Sequence, residues 1–392
     1  MATPLRRQLA GYAFVLPWLV ALGLFIGFPF LSGFYFSFCE FPPLKSPQFI
    51  GLENYSELLG DVRFHRSLGV TMLFAAVSIP IGVVLALTLA MFLNARIRGQ
   101  SLYRVIYYIP HLVPTVVVAI LWMWIFNPKF GLLNIALAGI WETVDAWSAL
   151  FLGGAPGSTP LWPAVAGLGL VAALVALNPL GLGGLRRRPG LRRFAVAVLV
   201  AAIVLTVVPL VLAGLDQVMP ADMKRLREPS WLSDGNPIPS MLTVKGFDLA
   251  PSMALWALIV MSMWGVGQMA VIYLAKLQDV PAELYEAADI DGASWWHKTF
   301  QVTIPMISPV ILFNVVMAII GTFQVFAEPY IMTNGGPEDK TRFVAMFVYD
   351  QAFVYQRVGY ASAVAWVLFL VIVTLTVLAF KVLNRRIYYA GR

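Results

Sequence analysis

Apolar residues dominate the chain in long runs, and charged residues cluster between those runs. Eight runs contain no Asp, Glu, Lys or Arg, and each can hold the roughly 20 apolar residues of a helix that crosses a bilayer. They are residues 8–39, 67–95, 105–128, 146–185, 194–215, 249–275, 299–327 and 358–380. The fourth run begins with a Gly/Pro/Ser-rich stretch at 153–160 that is typical of a loop, so its helix is predicted at 161–180. The pattern therefore predicts about eight transmembrane helices.

The composition agrees with a membrane protein. Of the 392 residues, 60% are hydrophobic and 12% are charged, and the mean hydropathy is +0.79. A soluble domain of this composition would expose far more contiguous apolar surface than monomers tolerate, and disorder requires low hydrophobicity. We therefore expect an all-α polytopic membrane protein. The single cysteine, Cys39, excludes an intramolecular disulfide.

The Lys and Arg residues are distributed unevenly between the two sides of the membrane. Eight spans place both termini on one side, and that side carries 16 of the 27 Lys and Arg residues in the shorter loops. Because cytoplasmic loops carry the excess of Lys and Arg, both termini are predicted to be cytoplasmic. The net charge of +7 then comes from basic residues in the cytoplasmic loops, which lie beside membrane lipids. We therefore expect no nucleic-acid partner.

Residues 276–298, here called the acidic loop, break this charge rule. The loop has two lysines and five carboxylates, namely Asp279, Glu283, Glu286, Asp289 and Asp291. Anionic lipid headgroups attract basic segments, so a helix resting on lipid should not have this composition. The loop is instead predicted to bind another protein.

The local sequence of the acidic loop predicts a helix–turn–helix. Asp279 is expected to cap the first helix and Pro281 to lie in its first turn. Gly292 allows a chain reversal, and Ser294 can cap a second short helix. The first helix would present a narrow face of Leu284, Ala287 and Ala288, and the second would present Trp295 and Trp296.

Three stretches resemble one family. Glu286-Ala-Ala, followed after three residues by Gly292 and after nine more by Val-Thr-Ile-Pro at 302–305, is similar to the EAA loop of importer permeases in the ATP-binding cassette (ABC) class. Thr-Asn-Gly-Gly-Pro at 333–337 and Gly-Leu-Glu-Asn-Tyr at 51–55 resemble segments of the carbohydrate-uptake branch, typified by maltose and glycerol-phosphate permeases. The likeness covers residues 12–134 and 249–386.

The resemblance implies a type I ABC importer permease core (MetI-like) with a two-helix insertion, in a bacterial or archaeal cytoplasmic (inner) membrane. The expected organisation is 1–66 as the N-terminal transmembrane helix and external loop, 67–134 as core helices 2 and 3, 135–248 as a family-atypical insertion with two extra transmembrane helices, and 249–392 as core helices with the cytoplasmic loop 276–298.

Partners follow from the same resemblance. It implies a heterodimer with a second permease subunit, two ATP-binding subunits and an extracytoplasmic solute-binding protein. The sequence has no G-x-x-x-x-G-K-[ST] phosphate loop, so we expect no enzyme activity and no cofactor in this chain, with ATP and Mg bound by the partner subunits. The residues expected to couple to the ATPase subunit are Glu286, Ala287, Ala288, Asp291, Gly292 and Ser294.

Polar side chains within apolar runs are candidate solute ligands, because they are costly in a membrane unless they have partners. Gln324 and Glu328 are four residues apart and are expected to share a helix face. Trp264 and Gln268 are also four residues apart and could face the same cavity. Amides and carboxylates beside aromatic rings suit a polyhydroxylated sugar. The predicted substrate-binding residues are Gln324, Thr322, Glu328, Trp264, Gln268 and Tyr330.

Other interpretations stay open at this point. The same polar residues could only link helices, at about 0.6 kcal/mol per pair. An ion-coupled secondary transporter of small polar solutes would need ionisable groups at the midplane, but every Asp and Glu lies outside the uncharged runs. No metal site is predicted, because His65 is expected in a loop, far from His111 and His297.

Overall fold

The structure is a computed structural model, and it describes residues 4–43, 45–94, 99–152, 225, 227, 229–236, 243–244, 247–248 and 251–384. The chain divides into two compact units. Unit 1 comprises Met1–Ile120 and Ala254–Arg392, and unit 2 comprises Leu121–Met253. The predicted helices at 161–180 and 194–215, and the arginine cluster at 186–193, lie outside the described residues.

The described elements are almost all helical. Up to residue 152 they are α1 (Pro4–Leu22), a π-helical turn (Gly23–Gly27), α2 (Phe28–Phe36), β1 (Cys39–Glu40), β2 (Gln48–Phe49), α3 (Glu53–Gly60), α4 (Val62–Asn94), α5 (Gln100–Leu112), α6 (Thr115–Ile125) and α7 (Leu132–Leu152). Further along are β3 (Thr243–Val244), β4 (Phe247–Asp248), α8 (Met253–Met263), α9 (Gly267–Gln278), α10 (Ala282–Ile290) and α11 (Trp295–Lys298). The chain ends with a π-helical turn (Thr299–Thr303), α12 (Ile304–Phe323), α13 (Ala327–Met332), α14 (Val344–Tyr349), a π-helical turn (Asp350–Val354) and α15 (Val358–Asn384).

Among the described residues, four helical stretches are long and apolar enough to cross a membrane, and six if each bent pair is one span. The four are Phe14–Phe36, Val62–Asn94, Trp295–Met332 and Val358–Leu383, and the bent pairs are α5 with α6 and α8 with α9. Each of these six coincides with a predicted uncharged run. The all-α polytopic prediction is therefore confirmed for the part of the chain that can be described.

Charged residues do not bound every helix, and one loop prediction was wrong. Helix α7 occupies Leu132–Leu152 and includes Glu142 and Asp145, which lie outside the uncharged runs. His65 lies in the first turn of α4, not in a loop, because Asp61 caps that helix by accepting hydrogen bonds from the backbone N–H of Arg63 and Phe64. A charged residue at a helix end therefore does not mark the end of helical structure.

Helix α4 has 33 residues and packs differently at its two ends. Near its C-terminus, Ala86 and Ala90 are fully buried against Leu274 and Leu277 of α9 and Ile307 of α12. Small side chains four residues apart let neighbouring helices approach closely, as is typical of membrane helix packing. Near its N-terminus, α4 packs in a second cluster whose members are Leu58, Phe64, Val344, Phe347, Tyr360 and Val364.

The Gly-Leu-Glu-Asn-Tyr segment ties α3 to the β1–β2 hairpin. The buried Asn54 amide donates hydrogen bonds to the carbonyl oxygens of Ser37 at 3.0 Å and Cys39 at 2.9 Å. Arg357, just before α15, pairs with Glu57 of α3, and this hydrogen bonding raises the pKa of Arg357 above its ordinary value. The Gly-Leu-Glu-Asn-Tyr motif at 51–55 therefore has a structural role, which is to hold α3 against the β1–β2 hairpin.

Gly267, at the start of α9, is packed directly against the backbone of α5. A Cβ atom built there would lie 1.8 Å from the carbonyl oxygen of Tyr107. We expect Gly267→Ala to separate the two helices and to destabilise the protein by at least about 1–3 kcal/mol, the usual cost of overpacking. Thermal unfolding in detergent measures this. Gly69→Ala is the matched control, because a Cβ at Gly69 meets nothing within 4 Å, and equal unfolding temperatures for the two variants would contradict the packing argument.

Unit 2 has its own small set of contacts. The Trp231 indole donates a hydrogen bond to Asn134 at 2.6 Å, and its ring lies 5.5 Å from that of Phe126. Arg227 pairs with Asp145 of α7 at 2.8 Å.

Candidate functional site: the acidic loop and a lined cavity

The acidic loop forms the predicted helix–turn–helix. Helix α10 is followed by Gly292 with φ of +73°, a left-handed conformation that glycine adopts at little cost. The next amide, Ala293 N–H, donates to the carbonyl of Ala288 at 2.9 Å and closes the turn. Ser294 then caps α11 by accepting a hydrogen bond from the backbone N–H of His297, as expected.

The predicted start of the first helix was wrong. Asp279 is the residue that ends α9, where it pairs with Lys276, and Pro281 is the N-cap of α10 with no side-chain capping bond. The helix from the membrane continues to Gln278, so the acidic residue meets the end of one helix instead of the beginning of the next.

Two side-chain contacts join the arms of the acidic loop. The Lys298 ammonium lies 2.6 Å from an Asp289 carboxylate oxygen, and the hydroxyls of Tyr285 and Thr303 lie 3.0 Å apart. They connect α10 to α11 and to the π-helical turn that precedes α12. The loop is therefore braced across the turn, which suits a segment that transmits force.

The outer surface of the loop exposes large apolar side chains. Ile290 is 88% exposed, and Trp295, Trp296 and Phe300 are each more than half exposed. The two indoles are in edge contact with ring centroids 4.7 Å apart, and Trp296 stacks on Phe300. Aromatic clusters of this kind are enriched at protein interfaces.

Both helices that continue from the acidic loop line one cavity of unit 1. Its volume is about 550 Å³, within the range of small-molecule sites. Helix α9 contributes Gln268, Met269 and Ile272, and α12 contributes side chains at four-residue intervals, including Asn314, Ala318 and Thr322. The remaining walls come from α4, residues 110–118, α8, the turn at residues 264–266, Val325, the start of α13 and Phe343.

Four of the six predicted substrate residues line this cavity. Trp264, Gln268, Thr322 and Glu328 are all in its wall, although they come from four different segments: the turn between α8 and α9, α9, α12 and α13. Gln324 and Tyr330 are absent from the described lining. Tyr330 instead stacks on Phe326, with ring centroids 5.2 Å apart, and also contacts Tyr349.

The expectation that Gln324 and Glu328 share a helix face was wrong. Helix α12 ends at Phe323, Gln324 is its exposed C-cap, and α13 begins only at Ala327. The chain bends at Phe326, where φ is −137°, so four-residue spacing no longer brings side chains together.

Sequence reasoning missed Asn314. Its side chain is 1% exposed and lines the cavity, and its amide lies within hydrogen-bonding reach of the buried Tyr273 hydroxyl. A signal was present, because Asn314 is a polar residue in the middle of the apolar run 299–327. The rule that polar residues inside a membrane span carry function would have found it.

The described residues contain no group of three or more His, Cys, Asp or Glu side chains placed to hold a metal ion. His111 lines the cavity, whereas His297 lies in the acidic loop beside Ser294.

Comparison with known protein families identifies the family of this chain. Residues 166–389, more than half of the chain, match the family described as "Binding-protein-dependent transport system inner membrane component". The chain therefore belongs to this family, which confirms the predicted importer permease resemblance and a multi-pass membrane protein. The match begins within the segment 135–248, so the family likeness extends further than the three motifs indicated.

Individual relatives align over nearly the whole chain. A protein of Bacillus subtilis (strain 168) described as "Probable ABC transporter permease protein YesP" is 26% identical, over 99% of this chain and 94% of its own length. The "Trehalose/maltose transport system permease protein MalF" of Thermococcus litoralis is also 26% identical, over 96% of this chain and 94% of that protein. A solved "bacterial ABC transporter involved in the import of the acidic polysaccharide alginate" has a chain with the same fold, with a TM-score of 0.62 at 16% identity, covering 97% of this chain and 96% of that one.

Proposed function

We propose that the chain forms half of the translocation pathway of an ATP-driven importer for a sugar or a related polyol or oligosaccharide. Its partners would be a second permease subunit, two ATP-binding subunits and an extracytoplasmic solute-binding protein. The named solutes of the relatives support a saccharide, and they differ in charge, since trehalose and maltose have none and alginate is acidic.

One observation carries the mechanism: the acidic loop is continuous with α9 and α12, and both helices line the cavity. Only three residues separate α9 from α10, and α11 leads through one π-helical turn into α12. A tilt of the loop would therefore be transmitted to two walls of the cavity. Rigid-body movement of packed helices of this kind opens a pathway alternately to the two sides.

In this proposal the acidic loop docks into the ATP-binding subunit on the cytoplasmic side. Glu286 would contact it as a hydrogen-bond acceptor or ion partner, and Ala287 and Ala288 would allow close approach. The exposed Ile290 and Trp296 would then be covered, which explains large apolar side chains on an otherwise acidic surface. Asp279 and Asp289 are exceptions among the carboxylates, because Lys276 and Lys298 already pair with them.

The proposal is tested by co-expressing the chain with the second permease and ATPase subunits from neighbouring genes and reconstituting the complex in proteoliposomes. We expect ATP hydrolysis to be stimulated by the solute-loaded binding protein, and uptake to stop without ATP. Uptake that persists without ATP and collapses with an ionophore would instead support an ion-coupled transporter.

A further inference from the structure

The described lining of the cavity has an acidic side chain but no lysine or arginine. Its described lining contains one carboxylate, Glu328, one imidazole, His111, and no Lys or Arg. Every other hydrogen-bonding side chain in the wall is neutral, namely Ser78, Thr115, Ser262, Trp264, Gln268, Asn314 and Thr322.

An anionic solute would be poorly stabilised there. Transfer of an ionised group out of water is costly unless an opposite charge or several hydrogen-bond donors compensate, and a nearby carboxylate adds repulsion. A nearby cation is already engaged: Arg342, which lies just before the lining residue Phe343, pairs with both Asp339 and Asp350.

A neutral hydroxyl group would be well accommodated. The buried Asn314 amide, which also interacts with the Tyr273 hydroxyl, lies in the wall with the amide of Gln268, so the wall offers neutral donors and acceptors to a hydroxyl group. Asn314 lies two helical turns from Thr322 on the same face of α12, so a bound saccharide could contact both side chains.

We propose that this cavity selects uncharged, hydroxyl-rich solutes and excludes acidic sugars and sugar phosphates. The inference rests on the proposed function, because it assumes that the cavity holds the solute during import. Within the proposed saccharide class it assigns the charge of the solute, which family membership leaves open.

The test uses the purified transporter complex in nanodiscs, without the binding protein, so that only the solute selectivity of the membrane complex is measured. Saturation-transfer difference NMR with maltotriose and with trigalacturonate, in nucleotide-free and vanadate-trapped complexes, compares a neutral and an anionic trisaccharide. We expect maltotriose to bind at least about tenfold more tightly, because a buried, unpaired charge costs more than one decade of affinity.

Two variants link the preference to the cavity. Asn314→Leu should weaken maltotriose binding about fivefold, the usual effect of one lost neutral hydrogen bond. Glu328→Lys should raise trigalacturonate binding, whereas Glu53→Lys makes the same charge change on an exposed residue of α3 outside the cavity and should not.

Three results would overturn the inference. If trigalacturonate binds the wild-type complex as tightly as maltotriose, the charge argument fails while the importer function stands. If Glu328→Lys and Glu53→Lys change anion binding equally, the selectivity does not reside in the cavity. If neither sugar binds in either state, the cavity is not the solute site, and the proposed function loses its pathway as well.

Discussion

Gly292→Val is expected to abolish stimulation of ATP hydrolysis by the solute-loaded binding protein, with a loss of at least about tenfold. Gly292 has φ of +73°, where a β-branched residue is strained by roughly 1–3 kcal/mol. The chain relieves this strain by changing the turn, so α10 and α11 lose their relative orientation. ATPase activity of the reconstituted complex, measured with and without the loaded binding protein, gives the result.

Gly292→Asn is the matched control for this prediction. Asparagine enters the left-handed region more easily than other residues with a side chain, and a Cβ at Gly292 meets nothing within 4 Å. We expect this variant to remain stimulated and the unstimulated activity of both variants to be similar. Full stimulation of Gly292→Val would show that the geometry of the turn does not matter for coupling.

Gln268→Leu is expected to lower transport efficiency about tenfold, since the change removes a hydrogen-bonding amide from the cavity and leaves a solute hydroxyl unpaired. Solute uptake into proteoliposomes at several concentrations measures kcat/KM. The complex should still assemble, because leucine has a similar volume and suits a membrane helix.

Gln324→Leu makes the same chemical change outside the cavity lining. Gln324 is the exposed C-cap of α12, so its loss should affect transport much less than the loss of Gln268. Equal losses of transport efficiency in the two variants would show that lining the cavity does not determine the effect. A larger loss for Gln324→Leu would place the solute site outside the cavity.

The sequence predicts the spans well because one physical requirement dominates them. A charge is expensive inside a bilayer, so each uncharged run contains the membrane-crossing part of a helix, although α4 and α5 begin several residues before their runs. The turn at Gly292 and the cap at Ser294 were also predictable, since each depends on the local chemistry of one residue.

The failures arise where packing, not local chemistry, decides. No glycine or proline marks the break between Gln324 and Ala327, so the end of α12 could not be located from sequence. The cavity likewise depends on the placement of α4, α8, α9 and α12, and periodicity does not give that placement. Asn314 is the exception, since its position in an apolar run was a usable signal.

The central claim is that the acidic loop contacts the ATP-binding subunit, and site-directed photocrosslinking tests it most directly. Cys39 is the single cysteine and is fully buried, so Ala287→Cys supplies one reactive thiol on the exposed face of α10 for a benzophenone maleimide. Ser56→Cys, on the exposed surface of α3, is the control. In the assembled complex we predict a crosslink from position 287 to the ATP-binding subunit and none from position 56. Crosslinks from position 287 to lipid alone would contradict the account.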